Sequence, residues 1–140
     1  MRRDERRRFD ALFEEVLGTM PPAIHELIEE VPVVLEDAPP ESLLREMGLD
    51  PDDRTGLCGL HSGIPMTDRS VSQHDLPDTV TLYREGIVEE AGGWEPWTDE
   101  DGTELGGDER VRHEIRVTLL HELGHHFGLS EEDLARLGYA

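Results

Sequence analysis

Apolar residues recur near the start of the chain with helical spacing. Phe9, Leu12, Phe13, Val16 and Leu17 fall at i, i+3, i+4, i+7 and i+8, the period of a helix that buries one face. A helix is therefore expected from Arg2 to Leu17, stopped by Gly18. Ile24, Leu27 and Ile28 follow Pro21 and Pro22, which suit a helix start, so a second short helix is expected through Glu29. The pattern then changes period. Val31 to Glu36 (VPVVLE) is short and β-branched and predicts a strand, with Pro32 placing it at an edge or a strand start. Glu41 to Met47 fits one or two helical turns closed by Gly48. Leu57 to His61 (LCGLH) fits a second strand. Thr79 to Tyr83 alternates most clearly, with Val80 and Leu82 on one face and Thr79, Thr81 and Tyr83 on the other. Ile87 to Glu90 fits a helical turn.

The longest periodic stretch lies near the end. Val111, Ile115, Thr118, Leu119, Glu122 and His126 follow one helical track, and Val117, Leu120 and Leu123 widen its apolar side. This predicts a long buried helix. Leu134, Leu137 and Tyr139 close the chain with a short one. Ala91 to Gly107, rich in Gly, Asp and Glu, reads as a mobile loop. Its Trp94 and Trp97 are expected to anchor it on the body rather than to form a flap. The order helix, helix, strand, short helix, strand, strand, long helix, short helix predicts a single α+β domain over residues 1–140. In it a small three-stranded sheet packs on the long helix.

Composition narrows the class. The 140 residues suffice for one core. Asp and Glu number 33 against 13 Lys and Arg, a formal net charge of −20. Such a surface repels nucleic acid and anionic membranes, so neither is expected as a partner. Every basic residue is arginine. Cys58 is the single cysteine, so no internal disulfide can form. No apolar run is long enough to cross a membrane, and MRRDERRRFD lacks the apolar stretch of a signal peptide; a cytoplasmic location is expected.

The long helix also carries the chemistry. His121 to His125 reads HELGH, the pattern H-E-x-x-H. Positions i and i+4 share a helix face, so the two imidazoles can hold one zinc ion while Glu122 holds a water. Gly128 follows, able to end the helix in a left-handed residue and turn the chain back. Glu131 could then reach the metal as third ligand. Ser130 to Asp133 also reads as a plain helix start, with Ser130 as N-cap and Asp133 at the capping-box position. Asp133, His61, His74 and His113 therefore remain alternatives for the third ligand. His126 sits about 100° round the helix from the pair, which suits a packed or hydrogen-bonded residue behind the site.

The segments LCGLHSGIPMTDRS (57–70), LPDTVTLYRE (76–85) and VTLLHELGHHFGLSEEDL (117–134) together resemble the small bacterial zincin-like metallopeptidases, minimal matrix-metalloprotease-like domains. The resemblance covers most of the chain and leaves out the tryptophan segment at 91–107, which looks like an insertion. It implies a truncated zincin fold, His121, His125 and Glu131 as zinc ligands, and Glu122 as the catalytic residue. Members commonly carry Asp where this chain has Glu131.

The expected activity is hydrolysis of a peptide or protein by zinc-activated water, with Glu122 as general base. Tyr83, His74, Arg84 and Tyr139 are candidate oxyanion donors. The competing reading is a zinc-binding interaction module with little or no activity. A ribonuclease is disfavoured by the acidic surface and by the ligand spacing.

Overall fold

The computed structural model describes residues 1–62 and 78–137. The first helical track becomes α1 (Arg3–Gly18), which buries Phe9, Leu12, Phe13 and Val16. Next come α2 (Pro22–Glu30), β1 (Val33–Glu36), α3 (Glu41–Glu46) and β2 (Gly59–Ser62). They are followed by β3 (Thr79–Tyr83), α4 (Arg84–Ala91), β4 (Trp97–Thr98), β5 (Glu104–Leu105), α5 (Gly107–His126) and α6 (Glu131–Leu137). The fold is α+β, a three-stranded mixed sheet packed on α5. No described helix is long and apolar enough to cross a membrane.

β3 is the central strand, in the order β1-β3-β2. It pairs in parallel with β1, Val33 opposite Val80, and antiparallel with β2, Gly59 opposite Leu82. Val80 and Leu82 are fully buried, as their alternation predicts. Tyr83 is buried as well, because β3 runs straight into α4 at the next residue. The core joins α1, the sheet, α4 and α5 through Phe9, Leu82, Ile87, Val111, Ile115 and Leu119.

Two glycines let backbone approach where a side chain would block it. A Cβ on Gly59 would lie 2.8 Å from Thr118 Cγ2 and 3.1 Å from Glu122 Cγ, so edge strand β2 can lie against α5 only with glycine there. A Cβ on Gly86 would lie 2.2 Å from the Leu57 carbonyl oxygen, so α4 likewise needs glycine to pack under the segment leading into β2.

Two expectations are corrected. The helical turn at Ile87 to Glu90 is part of the eight-residue helix α4. The stretch from Ala91 to Gly107, expected to be a mobile loop, contains an ordered hairpin with Trp97 paired to Leu105 and Thr98 to Glu104. The Asp99 carboxylate closes its turn by accepting from the Asp101 and Thr103 amides, both at 2.9 Å. The tryptophans do anchor it. Trp97 Nε1 donates to the Gly92 carbonyl at 2.8 Å, and the Arg8 guanidinium lies 4.6 Å from the Trp94 ring centre.

Charge ties the first helix to the sheet. Arg84 is buried and donates to both carboxylate oxygens of Asp10, at 2.9 and 3.2 Å, and to Asp37 at 3.1 Å. Arg6 Nε donates to Asp37 at 3.0 Å. Burial alone would raise the Asp37 pKa, but the hydrogen bond and charge of Arg6, with the N-terminus and Arg84, hold it below 3.8. A depressed carboxylate contributes stability above its unfolded pKa and loses it as pH falls through the folded value. We therefore expect Asp37→Asn to lower unfolding stability at pH 7 by about 1 kcal/mol. The gap to wild type should close as pH falls below 3.8. Urea denaturation at pH 7 and at low pH checks this; a gap that persists in acid would count against the assignment.

Candidate metal centre

α5 positions three chemical groups within one helical turn. Donor atoms of His121, Glu122 and His125 all lie within 4.8 Å of one another. The two imidazole Nε2 atoms stand 3.2 Å apart, as the i, i+4 spacing requires. Both rings are partly exposed at the rim of the helix, whereas Glu122 is buried.

The helix ends in a Schellman turn. Gly128 adopts φ +80°, its amide donates to the His125 carbonyl at 2.9 Å, and the Leu129 amide donates to Gly124 at 3.1 Å. The turn aims the Leu129 carbonyl at His125 Nδ1, 3.2 Å away. A proton on Nδ1 donated there leaves the Nε2 lone pair facing the site.

Beyond the turn, Ser130 and Asp133 form a reciprocal capping box, each amide donating to the other side chain at 3.1 Å. Asp133 also pairs with Arg136. Its pKa is lowered by the Ser130 backbone and side chain and then by Arg136. Capping thus occupies Asp133. Glu131 is left at the start of α6, with one oxygen 2.9 Å from His125 Nε2 and the other 3.3 Å from His121 Nε2. Its side chain is 70 % exposed, so the site opens to solvent. Two imidazoles and one carboxylate meeting at an open position form a donor set that fits a catalytic zinc ion.

Glu122 has its own environment. Burial raises its pKa, opposed by the charges of His121 and His125 and by a hydrogen bond from the His61 backbone amide. Its carboxylate oxygen lies 3.9 Å from His121 Nε2. A carboxylate beside the donors, its pKa raised by burial, is suited to accepting a proton.

A second donor group lies behind the helix. The side chains of His61, Asp78 and His126 are 5 %, 3 % and 5 % exposed, with donor atoms within 4.8 Å of one another. His126 Nδ1 stands 2.7 Å from Asp78 Oδ2, and His61 Nε2 is 3.7 Å from Oδ1. This pins the last turn of α5 to β2 and the start of β3. His126 is held behind the pair, as its helical angle predicts. Asp78 was missed by spacing arguments; the L-P-D ahead of Thr79 was its only sequence signal.

The other candidates separate. His61 belongs to this buried group, and His113 is exposed more than two turns before His125. Arg84 is committed to Asp10 and Asp37, and Tyr83 lies in the core, its pKa raised by burial and then by Glu36 and Glu122, so neither is placed as an oxyanion donor. His74 and Tyr139 lie outside the described residues.

Two cavities flank the donors. One of about 420 Å³ is bounded by Met47, Leu60, His61, His125 and Glu131. The other, of about 250 Å³, lies on the His121 side. Leu57, Gly59 and Glu122 border both. A larger cavity of about 560 Å³ lies beneath the hairpin and touches none of the donors.

Residues 28–139 match the family described as zincin-like metallopeptidase. No curated protein matches the chain.

The turn at Gly128 can be tested directly. Alanine at a left-handed position costs about 1–2 kcal/mol. Gly128→Ala should also shift Leu129 and Glu131 together. We expect a lower Tm and faster loss of zinc to a chelator. Unchanged chelator kinetics would show that the turn does not set the donors.

Proposed function

The chain belongs to the zincin-like metallopeptidase family, and from that premise we propose that it is a zinc-dependent peptidase using Glu122 as general base. His121, His125 and Glu131 are the proposed zinc ligands. The observation that carries the reading is the approach of Glu131 to both Nε2 atoms, at 2.9 and 3.3 Å, beside a buried carboxylate. A purely structural site would have no use for Glu122 in that place. Zinc held there would supply Lewis acidity toward a substrate carbonyl and toward the attacking water. Glu122 takes the proton of the attacking water and returns it to the leaving amine. The His61 amide orients the Glu122 carboxylate for both transfers. Peptides reach the site through the cavities on either side of it.

His121→Ala and His125→Ala should each abolish stoichiometric zinc, because at most two protein ligands remain. Glu131→Ala should weaken zinc binding strongly while Asp133→Ala leaves it intact. Metal analysis of the purified variants decides; full zinc in both histidine variants would overturn the site.

Glu122→Gln keeps the shape and removes the base. Zinc content should be unchanged and peptide hydrolysis should fall by a factor of about 10²–10⁴. A wild-type protein that carries full zinc yet cleaves no member of a broad peptide library would instead be a zinc-binding interaction module.

A further inference from the structure

The cavity on the His121 side has two chemically different parts. Leu57, Cys58 and Gly59 cover it from the segment entering β2, and Val117 and Thr118 form its floor on α5. These surfaces are apolar or small. Glu114 and Glu90 also line it. Glu114 lies two turns before His121 on the same face of α5, about 10 Å along the helix axis. Glu90 comes from α4, which packs beside α5. The cavity thus extends from the proposed metal donors along α5 to a pair of carboxylates.

We propose that this cavity is a specificity pocket that takes an arginine or lysine side chain of the substrate next to the scissile bond, with Glu114 and Glu90 receiving its cationic end. The methylene stem of such a side chain suits the Leu57–Val117 walls, and its charge suits the two carboxylates. At about 250 Å³, the space suits one side chain and falls below the range of about 300–1,000 Å³ typical of drug-sized ligands.

The electrostatics agree. Burial raises the Glu114 pKa, and the Glu90 charge raises it further, against relief from His113 and Arg110. The Cys58 thiol in the wall is pushed up to about 12, by burial first and then by Glu90, Glu114 and Glu122. Cys58 therefore stays a neutral wall, and the negative charge of the cavity lies on its carboxylates. A bound cation would relieve the repulsion between Glu90 and Glu114. The net charge of −20 would add long-range steering of basic peptides.

The place beside the scissile bond rests on the peptidase reading; the charge preference rests on the cavity alone. The test separates the two. Fluorescent heptapeptides of Gly and Ala carrying one Arg, one citrulline or one Glu are titrated by anisotropy into zinc-loaded Glu122→Gln protein, so binding is read without turnover. We expect Arg to bind about tenfold more tightly than its neutral isostere citrulline. Adding Glu90→Gln and Glu114→Gln should erase that preference, and adding Glu114→Lys should transfer it to the Glu peptide. Glu29→Gln with Glu30→Gln, exposed on α2, controls for bulk charge and should leave the preference intact. Wild-type cleavage sites in a peptide library should then carry Arg or Lys beside the cut bond. Equal binding of the Arg and citrulline peptides, absence of binding, or an equal loss in the α2 control overturns the pocket. Cleavage without a basic neighbour overturns the pocket and keeps the peptidase. Arg discrimination without any cleavage keeps the pocket's charge preference and overturns the peptidase.

Discussion

A carboxylate is costly to bury, and the Glu122 residue is only 8 % exposed. Much of the local architecture follows from meeting that cost. The His61 amide donates to the carboxylate, and that amide belongs to an edge strand. For β2 to come so close to α5, position 59 must lack a side chain, since a Cβ there would meet both Thr118 and Glu122. The chain entering β2 must in turn lie on α4, which requires the glycine at position 86. Two glycines and one backbone hydrogen bond thus support the residue proposed to carry the chemistry. The same burial that costs stability also raises its pKa.

Features governed by short-range spacing were legible in the sequence. The helical track from Val111 to His126, the i, i+4 imidazoles and the left-handed stop at Gly128 are all local consequences of helix geometry. So is the alternation in β3. The reading of Glu131 as both helix start and metal neighbour was open because both roles are local; in the structure the capping box uses Asp133, which leaves Glu131 beside the imidazoles.

What stayed hidden depends on partners distant in the chain. Arg84 was a candidate oxyanion donor until its partners Asp10 and Asp37, 74 and 47 residues away, claimed its guanidinium. α4 was underestimated because Gly86 lowers its helical signal, and the need for that glycine comes from Leu57. The hairpin's strands have only two residues each, too few to show a period. Its order comes from the Asp99 turn and from Trp97 reaching back to Gly92. Asp78 could be understood only once β3 and the end of α5 were seen to meet.

α5 serves as core and site at once, and this limits how selectivity can arise. One track of the helix is spent on Val111, Ile115 and Leu119, all fully buried. Beside it, Glu114, Val117 and His121 lie along the edge of the core, partly open to solvent, next to the buried Thr118 and Glu122. Residues on one helix are fixed relative to each other by the helix itself, so Glu114 holds a constant distance from His121 without any loop to order it. Glu131 is different: it stands on a short helix after a turn and is largely exposed. The rigid track is therefore better suited to set where a substrate side chain would lie, and the exposed acid to complete the proposed metal site.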